Sequence, residues 1–160
     1  KDFSLLKDIK LNYMNVTDIH NKYDTIIDLY ENMIIEKCLI YVNCDKEAIE
    51  LYEKLSKENY PVNYIIEGKE DKNKIIEDFK THKIRYLIST IKENKIDNTK
   101  ISLIINYDIP KIYDYYDKIV NSRVVINIIT DKNIKDLLLI EDYYDIEILE
   151  LSNNIKELLR

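Results

Sequence analysis

The candidate chemistry of this chain lies where apolar runs stop. The run "LIST" ends at Ser89 and Thr90, and "ISLIIN" gives way to Tyr107 and Asp108. If both runs are strands of an open α/β sheet, a ligand is sought at those ends, beside Ser89-Thr90 and Asn106-Tyr107-Asp108. Between them lies a polar loop that carries Lys95 and Asp97. A phosphate or nucleic-acid site in such a loop usually uses glycine, which lets backbone approach a ligand or take positive φ. Residues 87–110 contain none, although Asn94 keeps a turn feasible. Thr90 and Asp97 therefore read equally as site residues and as a strand-end hydroxyl with a loop cap. His20 and His82 lack partners at metal or triad spacing, and Cys38 and Cys44 follow neither a metal pattern nor a disulfide framework. Cys38, inside "CLIYV", reads as a buried thiol in a reducing compartment.

Strand ends matter only if strands and helices alternate around them, and the hydrophobic pattern does alternate. "IKLNYMNV" (Ile9 to Val16) has period-two character. "TDIHNKYDTIIDLYENM" then places Ile19, Tyr23, Ile26, Ile27 and Tyr30 on one helical face, with Thr17 as N-cap and Asp18 in the first turn. "KCLIYVN" is apolar without alternation, as a strand covered on both faces would be. The helix "DKEAIELYEKLSKE" repeats the spacing through Ala48, Leu51, Tyr52 and Leu55. Strand "PVNYIIE", helix "KEDKNKIIEDFKTH" and strand "IRYLIST" follow. Beyond Pro110 come helix "YDYYDKIV", strand "VVINIIT", helix "KNIKDLLLIEDYY", strand "IEIL" and helix "NNIKELL". Short connections make these βαβ crossovers, so one α/β domain with a mostly parallel sheet and helices on both faces is expected over residues 1–160.

Composition narrows the function. The chain has 160 residues, 46% of them hydrophobic and 34% charged, as in a globular domain with a full core. One glycine, two prolines, no tryptophan and fourteen tyrosines are unusual and fit drift in an A+T-rich genome, so surface lysine and asparagine carry little information. A net charge of −6 argues against a stand-alone, tight nucleic-acid module, because phosphate neutralisation supplies most of that affinity; a local RNA-facing patch is still compatible. No apolar run approaches membrane-spanning length and no signal peptide is visible, so a cytoplasmic or nuclear protein without membrane contact is expected. A start at Lys1 instead of Met fits a fragment of something longer.

Five phrases in order, "KYDTIIDLYE", "LIYVN", "IIEDFKTHKIRYLIST", "ISLIINYDIP" and "IEDYYDIEILELSNNIKELL", carry a resemblance. Together they resemble the C-terminal RecA-like domain of DEAD-box RNA helicases of the translation-initiation-factor-4A kind, from about Ile9 to Leu159. The resemblance implies a RecA-like three-layer sandwich. It also implies a partner N-terminal RecA-like domain of the same chain, which would carry the P-loop and the DEAD motif and bind most of the ATP and magnesium. This domain alone would neither bind that cofactor nor catalyse.

Residue by residue, the family's motifs are partly present. Where the family has a threonine and arginines on RNA phosphate after "LIYVN", this chain has Cys44-Asp45-Lys46; a carboxylate repels phosphate, and Lys46 reads either as an RNA contact or as a solvated lysine at a helix start. Lys69 and Lys72 stand where the family has glutamine and arginine, and lysine lacks the bidentate fork. Glu67-Gly68 is what remains of a histidine-glycine-aspartate turn. In the motif that follows "LIST", Thr90 matches a threonine on RNA phosphate and Asp97 an aspartate on the ATP ribose. "IKENK" replaces the segment with aspartate, arginine and glycine. The arginine-finger segment after "NYDIP" is several residues shorter. Lys118 and Asn121 cannot replace a guanidinium on phosphate, and Arg123 aligns better with the next strand.

Two functions from different classes are therefore expected. In one, the parent helicase clamps RNA weakly with impaired turnover, with Thr90, Lys46 and Lys95 on the RNA backbone and Asp97 on the nucleotide. In the other, the domain is a pseudo-helicase scaffold in a translation or RNA-processing complex, its partner a HEAT-repeat protein. Tyr115, Tyr116, Tyr143 and Tyr144 read as core or rim packing more readily than as base-stacking platforms.

Overall fold

The computed structural model describes residues 2–91 and 101–151. Within them, seven strands form one sheet: β1 (Lys10–Asn15), β2 (Cys38–Tyr41), β3 (Val62–Ile65), β4 (Tyr86–Ser89), β5 (Ile101–Asn106), β6 (Ser122–Ile129) and β7 (Leu149–Glu150). Every pairing is parallel and the order is β3-β4-β2-β5-β6-β1-β7. The crossovers run through α1 (Lys22–Asn32), α2 (Asp45–Lys57), α3 (Lys72–Lys80), α4 (Tyr115–Ile119) and α5 (Ile134–Tyr144). This is the parallel α/β domain expected from the alternation and the RecA-like sandwich implied by the resemblance, with a sheet that is wholly parallel among the described residues.

The central strands are apolar at most positions because both their faces are covered. Leu39, Leu87, Ile104 and Val125 point to one side and pack with Phe79 of α3, Tyr115 and Ile119 of α4, and Leu137 and Ile140 of α5. Cys38, Ile40, Ile88, Leu103, Ile105, Val124 and Ile126 point to the other, against Ile26 and Leu29 of α1 and Ala48, Leu51 and Leu55 of α2. Each fully buried Leu or Ile contributes about 1.5–3 kcal/mol, so the two layers together hold the sheet rigid. Polar residues in this core pair with one another, although Asn106 Oδ1 is buried without a hydrogen-bond partner among the described residues. Asn106 and Asn127 lie opposite each other on β5 and β6; Asn106 Nδ2 donates to Asn127 Oδ1 at 2.8 Å, and Asn127 Nδ2 donates to the Asn12 carbonyl at 3.0 Å. The Tyr115 hydroxyl joins them at 3.0 Å from Asn127 Nδ2. Tyr115 and Tyr144 are buried, as core packing requires, while Tyr116 and Tyr143 fill the rim around Phe3.

Three local expectations are corrected. Residues 17–33 are not one helix: a 3-10 turn (Ile19–Asn21) precedes α1, Thr17 has φ of +72° and caps nothing, and Asp18 instead accepts from the His20 N–H. Because α1 starts at Lys22, its buried stripe is Lys22, Thr25, Ile26 and Leu29, and Ile19 is exposed. The segment "IEIL" pairs only through Leu149 and Glu150, as an edge strand on β1. The segment "NNIKELL" lies outside the described residues. Gly68 does carry a positive φ, +79°, in the turn before α3.

Candidate functional site

Parallel strands place all their carboxyl ends on one face, and β2 lies between β4 and β5 at its centre. The ends "ST" and "NYD" therefore gather around the loop from β2 into α2. Ser89 is buried and its Oγ accepts from the Ile91 N–H at 3.1 Å, so it shapes the turn. Thr90 Oγ1 donates to Asp45 Oδ1 at 2.6 Å. A hydroxyl committed to a carboxylate does not serve a phosphate oxygen at the same time, and the carboxylate repels phosphate. Lys46 is exposed in the first turn of α2, beside Asp45 in the chain. The structure thus brings Thr90 and Asp45 together, and Lys46 follows Asp45 in the chain. Lys95 and Asp97 lie outside the described residues.

A second cluster occupies the β5 corner. Lys22 is buried; its Nζ donates to the Tyr107 carbonyl at 2.7 Å and to Asp108 Oδ1 at 3.1 Å. Asp108 Oδ2 accepts the Asn43 N–H at 2.8 Å, which ties the β2–α2 loop to the same carboxylate. Glu47 of α2 reaches Asp108 too. Burial, and then the neighbouring Asp108 carboxylate, hold Glu47 above the ordinary carboxylate range, with Lys22 partly offsetting them. Burial, helped by Asp108 and Glu47, pushes the Tyr107 hydroxyl up as well. Beside this corner is a cavity of about 130 Å³ between Tyr23, Leu51, Lys54 and Tyr107. The arrangement can anchor α1, the β2–α2 loop and the β5 corner to one another.

Lysines at other motif positions of the family make contacts within the fold. Lys118 is buried with its Nζ 4.8 Å from the centroid of the Tyr41 ring. Lys69 Nζ stands 3.5 Å from the Tyr64 ring centroid and donates to the Tyr64 carbonyl at 2.9 Å. The arginines among the described residues are Arg85, just before β4, and Arg123, at the start of β6. Both sit at amino ends of strands, on the side of the sheet opposite Thr90. His20 and His82 are exposed, and no group of His, Cys, Asp and Glu among the described residues could hold a metal. Lys22 and Glu47 escaped sequence reasoning. The available signal was Asp108, a strand-end carboxylate that needed a partner, but nothing in the sequence pointed to a lysine 86 positions away.

The wholly parallel sheet of the described residues, with helices on both faces, is a RecA-like fold that matches C-terminal domains of DEAD-box proteins. The family model "Helicase conserved C-terminal domain" matches residues 21–142, and the chain belongs to that family. As a helicase C-terminal domain it is related to the DEAD-box RNA helicases eIF4A and FAL1. It is 36% identical to the ATP-dependent RNA helicase FAL1 of Vanderwaltozyma polyspora, over 92% of this chain and 40% of that protein. To the ATP-dependent RNA helicase eIF4A of Eremothecium gossypii it is 31% identical, over 99% of this chain and 42% of that one. Among solved structures, S. cerevisiae Dbp5 bound to RNA and ADP BeF3 superposes with a TM-score of 0.85 at 26% identity, covering 96% of this chain and 46% of that one. A variant Dbp5 C-terminal domain bound to Gle1 and IP6 superposes at 0.83 with 29% identity, covering 89% of each. The chain spans about two fifths of the length of the curated relatives it matches. No helix among the described residues is long and apolar enough to cross a membrane.

Proposed function

We propose that this chain is the second RecA-like domain of an eIF4A-like or FAL1-like ATP-dependent RNA helicase with a weak RNA grip and impaired ATP turnover. The placement of the arginines carries this reading: Arg85 and Arg123 lie at the amino ends of β4 and β6, away from the face where a nucleotide shared with a first domain would lie. An arginine finger is worth roughly 10³–10⁵ in rate in related phosphoryl-transfer systems, so its displacement is a large loss. ATP and magnesium would be held mainly by the first domain, and Asp97 would be this chain's contact to the ribose. Thr90, Lys46 and Lys95 would meet the RNA backbone, with Asp45 competing for the Thr90 hydroxyl.

The second reading is a protein-binding scaffold, with a HEAT-repeat protein as its partner. The similar Dbp5 C-terminal domain bound to Gle1 favours it, as does the Thr90–Asp45 pairing. RNA-stimulated ATPase activity of the full-length parent tests both. A low activity that Thr90→Ala lowers further, with RNA affinity raised by Asp45→Asn, supports the weak clamp. Turnover at the level of ordinary family members would refute it, and a folded parent with no turnover and no RNA binding would leave the scaffold.

A further inference from the structure

We propose that the groove between α5 and the Ile109–Tyr113 segment docks an amphipathic segment of a partner protein that carries apolar anchors flanked by lysine or arginine. The groove encloses about 450 Å³, and Ile109, Pro110, Ile112, Leu139 and Ile140 line it. Its lip is aromatic: Tyr113 and Tyr143 meet edge to face at 5.3 Å between ring centroids. Tyr113 is 74% exposed, Leu139 59% and Tyr143 44%, with Leu138 and Ile134 exposed on the same helix. Large apolar side chains gathered in this way are unusual on a monomer's surface and mark a contact site.

The rim tells which partner fits. Asp136 and Lys111 line the groove; Asp114 and Asp142 adjoin Tyr113 and Tyr143 in the chain, and Lys135 adjoins Asp136. The balance is acidic and the whole chain carries −6, so a basic flank is attracted and a nucleic-acid strand is repelled. Tyrosines with two χ angles around an apolar slot suit an anchor residue at low entropic cost, and the groove alongside α5 suits a helical segment. Both readings of the parent are compatible with this surface, because it uses neither Thr90 nor the arginines.

Selection of random 12-residue peptides displayed on phage, with the 160-residue chain as bait, tests the proposal. The expected consensus has two apolar residues three or four apart with lysine or arginine beside them. A synthetic peptide of that consensus, followed by fluorescence polarisation, should bind at least about tenfold more weakly to Tyr113→Ser/Leu139→Lys. Asp136→Lys, a change at an exposed position that disturbs no packing, should weaken it several-fold, and so should salt. A consensus without basic residues, or peptides indifferent to all three changes, would overturn the proposal. So would a chain that dimerises through the groove in sedimentation, or one whose removal of residues 152–160 tightens peptide binding tenfold. Those two results would name a second copy, or this chain's own end, as the occupant.

Discussion

The corner at Asp108 should be costly to disturb. Asp108→Ala removes the carboxylate that Lys22 Nζ meets at 3.1 Å and that the Asn43 N–H meets at 2.8 Å. The Lys22 side chain is 5% exposed and that of Asp108 16%, so water cannot readily replace the lost partner. Breaking such a pair costs about 3–5 kcal/mol, because the surviving charge is left desolvated. Two features reduce this. Lys22 keeps the Tyr107 carbonyl at 2.7 Å, and Glu47 loses its like-charged neighbour. The expected net loss is about 2–3 kcal/mol, and at 160 residues this lowers Tm by about 5–10 °C. Urea denaturation of the wild type, Asp108→Ala, Lys22→Met and the double variant measures it. The double variant should lose less than the sum of the singles, with a coupling of at least about 1 kcal/mol. A loss below about 1 kcal/mol for Asp108→Ala, or strict additivity, would refute the view that this pair anchors α1 to the corner.

Other expectations follow from burial and partners. Glu47 has a raised pKa in the folded chain, so folding holds its proton more tightly. Its cost to stability is absent below the ordinary carboxylate range and grows as pH rises through the raised value. Glu47→Gln should therefore stabilise the chain at neutral and alkaline pH and have no effect in acid, as urea midpoints across pH would show; stabilisation confined to acid would contradict it. Asn127→Ala strips Asn106 and Tyr115 of their shared partner and opens a cavity in the sheet, so a loss of about 3–4 kcal/mol is expected from the same denaturation experiment. Cys38 is wholly buried and burial pushes its thiol up, while Cys44 is exposed. A thiol reagent should modify Cys44 in the native chain and Cys38 only in denaturant, read by mass spectrometry.

Much of this molecule was legible in its sequence. Apolar runs without polar alternation, such as "CLIYV" and the "LII" of β5, fix buried parallel strands, since a strand covered on both faces has no solvent-facing positions to fill with polar residues. The spacing of Ala48, Leu51 and Leu55 fixes the inward face of α2 for the same reason. Ordered phrases sufficed for the family, and the runs ending at Ser89 and Asn106 are enough to bring the carboxyl ends of β4 and β5 to the same edge of the sheet. Local rules failed where a neighbour distant in sequence decided the outcome. Thr17 has the chemistry of a cap, yet the turn that ends β1 put it at positive φ and gave the role to Asp18. Lys22 reads as a surface lysine until Asp108, 86 residues later, draws it into the interior. Lys118 stands in the shortened arginine-finger segment, and only the fold shows its Nζ 4.8 Å from the Tyr41 ring centroid. Thr90 carries a hydroxyl suited to RNA, but the fold sets Asp45 2.6 Å from it. Hydrophobic periodicity is a property of the chain alone, because each residue's burial repeats with the local helix or strand. The partner of a charge or hydroxyl depends on which loops the closed sheet brings together, and only the tertiary structure decides that.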